Sequence, residues 1–231
     1  MDSAYNSFLE RLNEDRIKRN ISQTKMGEIL GMTQSHYSKV EKGKNLISFS
    51  GLIRLYKQSF DIDYLVTGFP RTKGILDDYI NNCDENKKAD MLNYMIWLVK
   101  QGLDIERISY DADEINTYYK VIYFVQYRNH IKNNINIWKI IRNDNEITQQ
   151  QMADRLKINI KKYRYIENGQ REPDAQILAE LYTEFGYLPT MMLPEVVINI
   201  SYLNIIWNKF SHGLKERLVK YIDRGIDIIN N

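Results

Sequence analysis

The chain is poor in the residues that break, cross-link or ligate. Its 231 residues include one cysteine, four prolines, eleven glycines and three histidines. Cys83, standing alone, closes no internal disulfide, which suits a reducing cytoplasm. It reads as a filler on a helix face. Three scattered histidines and one cysteine make no metal-ligand cluster, so neither a metal nor another cofactor is expected. The scarcity of proline and glycine excludes a collagen-like or disordered chain. The longest apolar runs, MIWLV at 95–99 and VIYFV at 121–125, are far too short to cross a bilayer. Residues 1–16, MDSAYNSFLERLNEDR, are acidic and polar where a signal peptide needs a basic start and an apolar run. A cytoplasmic protein without a membrane partner is expected. There is no nucleophile–base set, no metal-ligand spacing and no phosphate-cradling glycine loop, which argues against an enzyme.

An excess of one charge is also missing. Lys and Arg number 32 against 30 Asp and Glu, a net charge of +2. A nucleic-acid binder needs a basic face, and on a near-neutral chain that face requires uneven distribution. Residues 8–70 carry ten Lys/Arg against seven Asp/Glu, whereas residues 71–110 carry six against seven. The contrast is small and has the sign of a binding domain followed by a structural one. With 43% apolar and 27% charged residues, a packed core is affordable. Long helix-compatible stretches with few breaks point to an all-α fold.

The chain also repeats itself. MTQSHYSKVEKGK at 32–44 returns as INIKKYRYIENGQ at 158–170, an offset of 126. Between residues 16 and 56 the two copies align without a gap, and eleven of 41 pairs are identical. Chance would give about two or three at ordinary residue frequencies. The identities include Arg16/Arg142, Gln23/Gln149, Tyr37/Tyr163, Glu41/Glu167 and Gly43/Gly169. Beyond the block, Leu76, Lys88 and Tyr94 meet Leu203, Lys215 and Tyr221 at an offset of 127. The period is too long for a solenoid. The organisation expected is a domain at 1–70, a helical tail and linker at 71–132, a second domain at 133–193 and a C-terminal tail at 194–231.

One copy reads as five helices. Residues 7–19 place Leu9, Leu12 and Ile17 on roughly one face. Ser22 caps a second helix with Met26, Ile29 and Leu30 inside, ended by Gly31. Thr33 caps a third, with Tyr37 and Val40 inside, ended by Gly43. Ser48 or Ser50 caps a fourth, with Leu52, Leu55 and Tyr56 inside, and a short fifth follows around IDYLVTG. Two short helices joined by a tight glycine turn form a helix-turn-helix. Gln23, Gly31, Thr33-Gln34 and Val40-Glu41-x-Gly43 closely resemble the phage-repressor (Cro/Xre-type) helix-turn-helix family over residues 8–68. The second copy, about 134–193, resembles it too. The resemblance implies two lambda-repressor-like five-helix domains, each with a helical tail outside the family domain.

It also implies a recognition helix at about 33–42 lying in the major groove of double-stranded DNA. Thr33, Gln34, Ser35 and His36 begin that helix, with Ser38 and Lys39 one turn on. A glutamine amide matches adenine N6 and N7, and lysine favours guanine O6 and N7. Lys25, Lys42 and Lys44 are candidates for phosphate contacts, which position without specifying. By resemblance, Gln23 and Gln149 contact the backbone and brace the recognition helix. Arg16 with Glu41, and Arg142 with Glu167, read as structural pairs locking first helix to third.

The copies differ where it matters. Lys157 stands for Gly31, where a positive φ costs a non-glycine residue about 1 kcal/mol. Ile160 stands for Gln34, and Asn159, Lys161, Lys162, Arg164 and Tyr165 make the helix at 159–168 more basic and less discriminating. Ile160 retains the ability to touch a thymine methyl. Two readings stay open: a second reading head, or a helix-turn-helix kept for packing or dimerisation. In the connecting stretch at 114–132, Ile115, Tyr118, Ile122 and Val125 have the 3-4-3 spacing of a helical seam, with a β-strand as rival. The tails are amphipathic and read as packing helices, between the halves or between chains. The function expected is a sequence-specific DNA-binding transcriptional repressor, offering two heads as a pseudo-dimer or four as a homodimer. The alternative is an antitoxin-like or partner-sensing protein. The sequence identifies no inducer.

Overall fold

In a computed structural model, the described residues are 4–84, 86–112, 115, 116, 118–120, 122, 137–193 and 199–230. Among them no β-strand occurs, and the one isolated bridge joins Ser48 to Asp174. The protein is all-helical. The chain folds into two compact units, Met1–Pro70 with Asn133–Glu195, and Arg71–Lys132 with Val196–Asn231. Like has packed with like: the first unit holds both helix-turn-helix copies, the second both tails.

In the first unit the leading copy runs α1 Ala4–Lys18, α2 Gln23–Leu30, α3 Gln34–Glu41, α4 Phe49–Lys57 and α5 Ile62–Thr67. Each short helix starts where a side chain satisfies an orphan N–H. Ser22, Thr33 and Ser48 accept from the amides of Lys25, His36 and Gly51. Gly31 and Gly43 turn the chain with φ of 71° and 68°. At Gly31 a second constraint operates: an added Cβ would lie 1.5 Å from the Arg54 guanidinium. The core is Phe8, Leu12, Met26, Tyr37, Val40, Leu52, Leu55 and Leu65, all essentially inaccessible.

Ile17 departs from expectation. It is 59% exposed, whereas Leu9 and Leu12 are buried. The inner stripe of α1 is Tyr5, Phe8, Leu9 and Leu12, and the next position at that spacing is Arg16, not Ile17. Ile29 and Tyr56, also expected inside, are only half-buried.

The second copy runs α8 Ile137–Asp144, α9 Gln149–Arg155, α10 Ile160–Glu167 and α11 Ala175–Phe185, then a 3-10 turn at Pro189–Met192. Ser59 and Gly186, 127 apart, both take left-handed φ, 61° and 73°. The extra residue that shifts the offset from 126 to 127 is therefore taken up at the end of α11, which is longer than α4.

The copies meet chiefly through α1 and α5 on one side and α11 and the 3-10 turn on the other. Two of the contacts join a residue to its own equivalent. Ser48 bridges Asp174 at offset 126. Asp63 bonds Thr190 at offset 127, accepting from its amide at 3.0 Å and its hydroxyl at 2.6 Å. A residue meets its own equivalent on the axis of an isologous dimer. At these two positions the copies pack as the halves of such a dimer would.

The second unit has the same construction. It holds α6 Ile75–Asn81, α7 Lys88–Glu106, α12 Ser201–Lys209 and α13 His212–Asn230. The long helices α7 and α13 pack on each other. Asn204 donates to Asp77 at 2.6 Å, and the Tyr94 hydroxyl donates to the Tyr221 carbonyl at 2.8 Å. Both pairs are 127 apart, so they too join equivalents. Gly225 lets the helices close: a Cβ there would lie 2.1 Å from the Tyr94 ring. Ile115, Tyr118 and Ile122 are helical and buried, as a helical seam requires; Val125 lies outside the described residues.

Asp63 and Thr190 are 2% and 4% exposed. Removing the carboxylate leaves a buried amide and hydroxyl without their acceptor, a loss of about 2–3 kcal/mol for bonds to a charged group. Asp63→Ala is expected to lower the urea midpoint accordingly, with no change in the denaturant slope.

Candidate nucleic-acid interface

The third helix of each copy is anchored from behind by a glutamate at its end. Arg16 Nε donates to Glu41 Oε1 at 2.9 Å, its Nη1 to the Ile21 carbonyl at 2.8 Å and its Nη2 to Asn13 at 2.7 Å. The paired side chains are 13% and 15% exposed. Such a pair contributes little net stability, yet losing one partner strands a charge. In the second copy Arg142 Nε meets Glu167 Oε1 at 2.6 Å, and Nη1 meets the Ile147 carbonyl at 3.1 Å.

The other glutamate oxygen orients a glutamine. Gln23 Nε2 donates to Glu41 Oε2 at 2.5 Å. A carboxylate only accepts, so the amide nitrogen must face it and the amide oxygen must face away. That oxygen accepts from Gln34 Nε2 at 2.8 Å. In the second copy Gln149 donates to Glu167, and its outward oxygen accepts from Arg164 Nε at 3.2 Å. Gln23 and Gln149 thus brace the helix that follows.

The expected base-facing residues of the first copy lie in the open. Gln34, Ser35, His36 and Lys39 are exposed along α3, Ser38 is half-buried, and Lys42 and Lys44 are exposed just beyond. Thr33 is committed to its cap. Lys25 is exposed and paired with Glu28 at 2.9 Å. Along α10, Lys161, Arg164 and Tyr165 are exposed and Ile160 is half-buried. Lys161 sits over the Tyr165 ring at 5.9 Å. Asn159 caps α10, accepting from the Lys162 amide at 2.8 Å. Lys162 is drawn off the open face: its ammonium meets Asp174 at 2.8 Å and is 18% exposed. α10 packs chiefly on α8 and α9 of its own copy.

Sequence reading missed one exchange. Lys157, in the place of Gly31, does take a positive φ of 55°. Its ammonium reaches Glu180 at 2.7 Å, a carboxylate with no solvent exposure. Glu180 stands where the first copy has Arg54, the residue lying against Gly31. Glycine with arginine has become lysine with glutamate. The signal was available: both members of the pair change together at one offset.

A fully buried tyrosine lies behind each helix, Tyr37 and Tyr163. Tyr163 places its hydroxyl 3.2 Å from the Trp138 carbonyl and 3.1 Å from Glu167. Burial and the adjacent Glu167 charge push its hydroxyl well above the ordinary value, so it stays a donor. Burial alone would raise the Glu167 carboxyl. Bonds from Arg142 and Gln149 outweigh that and hold it below its ordinary value of 4.5.

Residues 12–55 match the family described as Helix-turn-helix, and residues 139–196 match the family described as Helix-turn-helix domain. The chain carries two helix-turn-helix domains in tandem, consistent with the Xre type. No curated protein and no solved structure matches the chain. No described helix is long and apolar enough to cross a membrane.

Two outcomes are expected. A carboxyl with a depressed folded pKa stabilises fully above its unfolded value and ceases to do so as pH falls through the folded one. Glu167→Gln should therefore flatten the loss of stability below about pH 4.5, seen in urea midpoints taken across the acid range. Lys157→Gly relieves about 1 kcal/mol of backbone strain but leaves Glu180 buried and unpaired, and stranded charges cost about 3–5 kcal/mol. The single variant should be destabilised, and Lys157→Gly with Glu180→Arg should recover.

Proposed function

We propose that the protein is a cytoplasmic, sequence-specific repressor that binds double-stranded DNA by inserting α3, and also α10, into the major groove. Two helix-turn-helix domains establish the class, a DNA-binding transcriptional regulator. The observation that carries the finer reading is the exposure of both recognition helices. In each copy the apolar side of the helix is sealed against its own domain. The polar side, Gln34, Ser35 and Lys39 or Lys161 and Arg164, faces out.

The second domain's role in packing does not compete with DNA binding. The copies join chiefly through α1, α5, α11 and the 3-10 turn, so α10 is left over for another purpose. Gln34 supports adenine recognition in detail. One of its amide hydrogens is taken by Gln23; the other, with the amide oxygen, is the donor–acceptor pair that adenine N7 and N6 require.

Selection from a randomised duplex pool tests the reading. A defined motif is expected, with affinity falling steeply as salt rises because phosphate contacts release counterions. Gln34→Ala should relax preference at one position, at a cost of about 1–3 kcal/mol on the best site. Lys44→Ala should weaken all sequences alike. No enrichment and no salt dependence would refute DNA binding.

A further inference from the structure

The same hook serves both recognition helices, but different residues take it. In the first copy the outward oxygen of Gln23 is claimed by Gln34, at the start of α3. In the second, the outward oxygen of Gln149 is claimed by Arg164, one turn into α10. Their counterparts across the repeat do neither job. Ile160, in the place of Gln34, has no polar side-chain atom, and Ser38, in the place of Arg164, is too short to offer a fork.

Arg164 is exposed, and its bond to Gln149 uses Nε. Both terminal nitrogens stay available, a planar pair of donors matched to guanine O6 and N7. The Glu167–Gln149 chain fixes the guanidinium before any ligand arrives, which separates Arg164 from a freely moving phosphate contact. Ile160, four residues earlier, lies on the same helix face, within reach of a thymine methyl on a neighbouring base pair.

Resting on the DNA-binding reading above, we infer that one chain occupies one operator built of two unlike half-sites, with Arg164 reading a guanine present only in the half bound by α10. Self-equivalent contacts already close the pair of heads within the chain, so a second chain is not needed to complete it. A palindrome would offer identical halves to heads that carry glutamine in one case and arginine in the other.

The test uses the full chain. Duplexes are selected from a random pool by the wild type, Arg164→Ala and the double variant Ser38→Arg with Gln34→Ile, and the mass of the best complex is measured. The wild-type motif should have unlike halves about one helical turn apart, with one chain per duplex. Arg164→Ala should erase a guanine in one half alone and weaken the selected operator about tenfold or more, well beyond its effect on unrelated duplexes. Ser38→Arg, made together with Gln34→Ile so that the Gln23 oxygen is released, should add a guanine to the other half. Like halves, two chains per duplex, or equal weakening of all duplexes by Arg164→Ala would overturn the inference while leaving DNA binding intact. Failure of the wild type to enrich any sequence would instead remove the underlying reading.

Discussion

A carboxylate has no hydrogen to give, and the geometry of both α3 and α10 follows from where one is placed. Glu41 and Glu167 sit at the ends of α3 and α10, each facing an arginine from the first helix of its copy. The arginine makes burial of the carboxylate tolerable. The carboxylate then forces a glutamine to present nitrogen inward and oxygen outward. That outward oxygen selects a donor from α3 or α10. A buried ion pair, worth little in net stability, therefore sets the orientation of an exposed side chain two bonds away in the chain of contacts.

Duplication within one chain relaxes a rule that binds homodimers. On the two-fold axis of a homodimer a residue meets itself. Asp63 would then face Asp63, and Asp77 would face Asp77, setting like charges together in buried places. Here Asp63 meets Thr190 and Asp77 meets Asn204, so each axial carboxylate finds a donor. The exchange of Gly31 with Arg54 for Lys157 with Glu180 follows the same freedom, since each copy can solve the turn separately. In one the left-handed residue is glycine under a guanidinium. In the other it is a strained lysine whose ammonium neutralises a fully buried glutamate.

What could be read from the sequence was what is written locally or written twice. Caps at Ser22, Thr33 and Ser48, turns at Gly31 and Gly43 and the tandem domains all rest on spacing within a few residues or on identity at a fixed offset. Ile17 misled because the inner stripe of α1 passes through Arg16, whose aliphatic stem and paired head fill a place normally given to an apolar residue. Lys162 looked like one more cation on a basic helix. Its partner Asp174 is twelve residues away at the N-cap of α11, and no local spacing links the two. The sequence marks the tails as repeated packing helices, but not that Tyr94 bonds its own counterpart Tyr221, 127 residues away. Amphipathic helices announce that a partner exists without naming it.

The two roles open for the second domain call on different faces. Its α11 and 3-10 turn are spent against the first copy, and the residues there, such as Leu181, Thr190 and Met191, are buried. Packing explains them. It does not explain α10, which lies chiefly on its own α8 and α9 and leaves Lys161, Arg164 and Tyr165 open. A helix retained only as a spacer has no need of an arginine oriented by a glutamine that is itself oriented by a glutamate. Three successive hydrogen bonds must keep their polarity for that arrangement to hold, and an isoleucine or serine at any link would break it. The sequence keeps Arg142, Gln149 and Glu167 matched to Arg16, Gln23 and Glu41 while changing what the glutamine holds. That pattern, a constant frame with an altered tip, fits the reading-head proposal and is not accounted for by packing between the copies.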